Sequence, residues 1–67
     1  MELVQRIAHS VAATLDSGSA DRYTQIFAIK AALKAQDLEL YATDRETIDG
    51  VLDILFDEYA FNYVDNS

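Results

Sequence analysis

Thr43-Asp44-Arg45-Glu46-Thr47-Ile48-Asp49-Gly50-Val51-Leu52-Asp53-Ile54-Leu55-Phe56-Asp57-Glu58-Tyr59 decides the fold. Ile48, Val51, Leu52, Leu55, Phe56, Tyr59 and, further on, Tyr63 recur at the spacing that places them on one face of a helix. Glu46, Asp49, Asp53 and Asp57 recur at three, four and four, which lines them up on the other face. Thr43 and Glu46 have the spacing of a capping box, which predicts that the helix opens at Thr43. Gly50 inside the run costs roughly 1 kcal/mol relative to Ala. Asp49-Gly50 also has the composition of a hairpin turn. The apolar rhythm continues on both sides of it, so the helix is the better reading.

Working back toward the N-terminus, Asp37-Leu38-Glu39-Leu40-Tyr41 alternates and breaks the helical rhythm. A lone strand has nothing to pair with, so an extended connection is expected. Before it, Arg22 to Gln36 is rich in helix formers, with Ser19 to Asp21 suited to cap it. Ile26, Ile29 and Leu33 make an apolar strip. Tyr23 and Phe27 lie to one side of it with Lys30 and Lys34. Ala28, Ala31, Ala32 and Ala35 occupy the far side. So little polar surface predicts a central helix with neighbours on two sides. The alanine strip would let another backbone approach closely, and in a short chain that backbone can belong to a second copy.

The first element is read from Leu3, Val4, Ile7, Ala8, Val11 and Leu15, with Glu2, Gln5, Arg6 and His9 opposite. Asp16-Ser17-Gly18-Ser19 ends it, and Gly18 suits a left-handed position just past a helix. The fold class expected is therefore all-α. It is a small bundle of three helices near 2–15, 20–36 and 44–60, in a single domain over 1–67, completed by homodimerisation if its own core proves too thin. A chain of this size buries only ~60% of its unfolded surface, and association is one standard remedy.

Composition narrows the function. Of 67 residues, 51% are hydrophobic and 25% charged, in the range of folded chains. There is no Cys, Pro or Trp and there is one His, so a disulfide framework and a thiolate metal site are excluded. Aligning Gly50 with the glycine of a calcium loop puts Arg45, Thr47 and Phe56 where ligands belong. No metal or other cofactor is expected. His9 lies on a polar helix face with no Cys to activate, and Gly18 and Gly50 form no phosphate loop. No catalytic residue is assigned, and the chain is not read as an enzyme. No run is apolar enough for a membrane span or a secretory leader, which predicts a cytoplasmic protein with no membrane contact.

Charge is the most informative feature. The formal net charge is −7. Residues 1–36 hold three acids against four bases, whereas 37–67 hold nine acids against Arg45 alone. A direct nucleic-acid binder needs a basic patch that such a chain cannot assemble. Like charges at i, i+4 destabilise a helix slightly, so a row kept unneutralised suits a basic protein partner. It also reads as a plain solvated face. The partner-binding residues expected are Glu46, Asp49, Asp53, Asp57, Phe61 and Tyr63. If the helix continues, Phe61 turns toward the carboxylates as an aromatic anchor. If it stops near Ala60, Phe61 folds back onto the core, or Tyr59 to Val64 is extended. The function expected is a small acidic protein-binding module, an inhibitor or adaptor, of a kind that suits a phage or mobile-element product. Its partner would be a basic surface, that of a nucleic-acid-binding protein in the most specific version. The alternative is a structural homo-oligomer that self-associates through Ala28, Ala31, Ala32 and Ala35.

Overall fold

The computed structural model describes residues 2–18 and 21–61. They form three α-helices and one 3-10 helix, with no strand among the described residues: α1 (Glu2–Thr14), α2 (Arg22–Ala35), the 3-10 helix (Glu39–Thr43) and α3 (Arg45–Tyr59). The fold is an all-α bundle of three helices.

α1 follows its sequence period. Val4, Ile7, Ala8 and Val11 are buried, and Leu3 and Leu15 pack at the margin. Near its end the Thr14 hydroxyl donates back to the Ser10 and Val11 carbonyls. Gly18 does not take the left-handed conformation expected of it. Its N–H bonds the Asp16 carboxylate instead, a local side-chain turn made without positive φ.

α2 is capped by Asp21, whose carboxylate accepts the Thr24 N–H at 2.8 Å. That backbone bond, followed by the Thr24 hydroxyl, holds the Asp21 carboxyl below its usual pKa. At the other end Asp37 is left-handed, with φ 59°. The Leu38 N–H reaches the Leu33 carbonyl at 2.7 Å and the Asp37 N–H reaches that of Lys34 at 3.2 Å. This is a Schellman closure made with Asp where Gly is usual. It turns Leu38 back onto the core beside Leu33. The segment that follows is not extended, as its alternation suggests. It winds into a 3-10 helix, with Tyr41 N–H on Leu38 O and Asp44 N–H on Tyr41 O. Leu38 and Ala42 pack inward while Leu40 is left 86% exposed.

α3 starts one residue later than the capping box predicts. The N-cap is Asp44, and Thr43 still belongs to the 3-10 helix. The Thr43 and Glu46 pair read from the sequence is therefore not the cap of α3. Asp44 makes no side-chain bond to the helix backbone; its carboxylate accepts the Thr47 hydroxyl instead, and Thr47 is buried. The reading of Asp49-Gly50 as a turn fails, since the helix passes through it. Gly50 serves the packing. A Cβ there would sit 3.3 Å from Val4 Cγ1, so the missing side chain lets α1 and α3 approach closely. Val4 against Gly50 and His9 against Tyr59 show that α1 and α3 run in the same direction.

The core joins Val4, Ile7, Ala8 and Val11 of α1, Ile29 and Leu33 of α2, Ile48, Val51, Leu52 and Leu55 of α3, and Phe61. Phe56 does not join it and is 50% exposed. Each i+4 step turns about 40° around a helix. The ladder Ile48, Leu52, Phe56 therefore precesses out of the core, while Val51 and Leu55 stay within it. Gln25, which the apolar strip of α2 leaves out, is 2% exposed, and no buried side-chain polar atom among the described residues lacks a hydrogen-bond partner.

Candidate protein-binding surface

The acidic row stands as its spacing predicts. Glu46, Asp49, Asp53 and Asp57 are all exposed on the side of α3 opposite Val51 and Leu55. Arg45, at the first position, is the one cation in α3. The sharp separation follows from phase: every acid of the row falls where the 3.6-residue period turns away from the core. Phe56 flanks the row, half exposed beside Asp53.

Phe61 is not part of this surface. The helix stops at Tyr59, and Ala60 is left-handed with φ 59°. The Phe61 N–H then bonds the Leu55 carbonyl at 3.0 Å, and the ring is 3% exposed in the core. The expectation of an exposed anchor is corrected to the fold-back alternative. A left-handed Ala carries no signal in sequence, whereas Gly would have marked the stop. Tyr63 lies outside the described residues, as do 62 and 64 of the proposed extended segment. His9 is exposed and has a neighbour, its Nδ1 lying 3.3 Å from the Tyr59 hydroxyl across α1 and α3. The rings are tilted, with centroids 6.5 Å apart.

The alanine strip is only partly free. Ala31 and Ala35 are exposed, but Ala28 and Ala32 are half-buried and pack at the edge of the core. Together with Gln36 at the end of α2 they line a shallow groove with Ser10 and Thr14 of α1. The Gln36 amide donates to the Ser10 hydroxyl at 3.1 Å across it. The backbone that approaches the alanines is thus α1 of the same chain.

Two features were not singled out from sequence. Tyr23 is 81% exposed and Phe27 76%, one turn apart on the outside of α2. Lys30 and Lys34, both exposed, continue their stripe. α2 has α1 along its alanines and the 3-10 helix and α3 along Ile26, but the aromatic side is open. The second feature is a groove between α2, the 3-10 helix and α3. Ile26, Ala42 and Ile48 line it with Arg22, Lys30 and Arg45, three of the five cations of the chain, and Asp49. Among the described residues no cluster of His, Cys, Asp or Glu is placed to hold a metal ion, and no helix is long and apolar enough to cross a membrane.

No protein-family model, curated protein or solved structure matches the chain.

Proposed function

We propose that this protein is a non-enzymatic binding module that docks the acidic face of α3 on a basic surface of a partner protein, as an inhibitor or adaptor. The observation that carries the reading is the row Glu46, Asp49, Asp53 and Asp57, exposed together on one side of a helix whose other side is fully committed to the core. Side chains three and four apart on a helix stand about 5–6 Å from one another at Cβ. That makes a regular line of negative charge, and the partner surface it fits best is one shaped to follow phosphates, on a nucleic-acid-binding protein. Phe56 adds apolar area at the edge of the line. Charge of this kind acts chiefly on encounter rate and specificity.

The test begins with capture on the immobilised chain from lysate of the native host at low and high salt. A partner of the acidic face is released as the Debye length shortens. The variant with Asp49, Asp53 and Asp57 all changed to Asn is then compared with the parent against that partner. Slower association with dissociation little changed supports the reading. Unchanged rates and salt dependence reduce the row to a solvated face.

Self-association through the alanine strip is the weaker reading, since α1 already lies along its inner edge. The open aromatic side of α2 is the better place for a second copy.

A further inference from the structure

We infer that the outer face of α2, Tyr23, Phe27, Lys30 and Lys34, is the docking surface for the acidic face of α3 of a second copy. The inference rests on the reading of the α3 row as a docking face and names a partner for it. Four observations on the molecule converge.

The first is exposure. Tyr23 and Phe27 are more than three-quarters exposed and adjacent on one stripe, although aromatic side chains of this size are what interfaces bury first. The second is charge. The stripe continues into Lys30 and Lys34, in a chain whose α3 carries five of its twelve acids. A basic stripe on an otherwise acidic protein finds its complement on the same molecule. The third is length. Tyr23 to Lys34 and Glu46 to Asp57 span the same number of residues, about 16 Å each at 1.5 Å per residue. Laid antiparallel, the lysines meet Glu46, Asp49 and Asp53, and the aromatic rings meet Phe56 and Asp57. The fourth is placement. Lys30 and Asp49 line one groove, so the two faces adjoin on the same side of the molecule. A twofold axis there pairs α2 with the second copy's α3 twice, which closes a dimer rather than opening a chain of copies. Self-association then covers the same carboxylates that another basic protein would use, and the two modes compete.

Two charge reversals test this. One variant carries Lys30→Glu and Lys34→Glu, the other Asp49→Lys and Asp53→Lys. All four side chains are exposed, so both variants are expected to keep the helical spectrum of the parent. Mass is read by light scattering after size exclusion, at high micromolar concentration and low salt. The parent is expected at twice the 7.5 kDa chain mass, falling toward once that mass at about 1 M salt, where the Debye length is about 3 Å. Each variant alone is expected to be monomeric, because reversal sets like charges face to face. An equimolar mixture is expected to recover the dimer, since both contacts are then complementary again, and a misfolded variant could not do so. A monomeric parent under these conditions overturns the inference. So does a dimer that either variant keeps alone, or a mixture that stays monomeric. A monomeric parent whose captured partner still binds more slowly after the triple Asn change rejects the inference and keeps the α3 reading. Capture indifferent to that change rejects the α3 reading itself.

Discussion

α3 and α2 are helices of 15 and 14 residues with opposite ways of dividing their surface. α3 buries Thr47, Ile48, Val51, Leu52 and Leu55 and turns its carboxylates out. α2 buries Gln25, Ile29 and Leu33, and turns out two aromatic rings. In α3 residue type and position agree apart from Phe56, half exposed, and Thr47, buried, so hydropathy locates most of the core face. In α2 they conflict: a glutamine is inside while a tyrosine and a phenylalanine are outside. Conflict of that kind, in a helix with good intrinsic propensity, points to a surface under a demand other than stability.

The largest expected effect checks that division. Leu55→Ala should cost about 2–5 kcal/mol by chemical denaturation, the range for emptying a buried leucine site. Phe27→Ala, a larger truncation on α2, should change stability by no more than about 0.5 kcal/mol in dilute monomer. A comparable loss from both would break the comparison, because Phe27 would then be part of the core.

The end of α3 offers a smaller effect of opposite sign. A left-handed L-residue costs roughly 1–2 kcal/mol relative to Gly. Ala60→Gly should therefore stabilise by about 1 kcal/mol and keep Phe61 buried. A destabilised variant would mean that the chain does not close on Leu55 through Ala60. Gly50 tests the inner edge of the same helix. Gly50→Ala gains helix propensity of up to about 1 kcal/mol but presses on Val4. The expected result is little net change in the parent and a clear gain in a Val4→Ala background. Equal effects in both backgrounds, read as a double-mutant cycle, would show that α1 and α3 do not touch there. Smallest of all, Thr43→Ala should stay within about 0.5 kcal/mol, since Thr43 lies before the cap. A loss near 1 kcal/mol would restore the Thr43 capping box.

The class of fold and the long periods of α1 and α3 were legible in the sequence because one face of each carries nearly all the apolar residues. The acidic row was legible for the same reason, as exposure follows from phase once the core face is known. The remainder depended on choices the sequence leaves balanced. Thr43 has the spacing of a capping box, yet the 3-10 helix keeps it and α3 starts after Asp44. The turns that end α2 and α3 use left-handed residues other than Gly, Asp37 and Ala60, so no glycine marks them. The second of these carries Phe61 out of the candidate surface and into the core. The open side of α2 was hidden by its own apolarity, which reads as coverage until the neighbours are placed.

On the proposed reading the carboxylates of α3 act in binding and the fold is indifferent to them. The most direct measurement is the association rate of the Asp49→Asn, Asp53→Asn, Asp57→Asn variant with a salt-sensitive partner of the parent chain, at two ionic strengths. Slower association and a weaker dependence on salt are expected, with an unfolding midpoint no lower than that of the parent because i, i+4 repulsion is relieved. An association rate and salt dependence equal to those of the parent would contradict that reading.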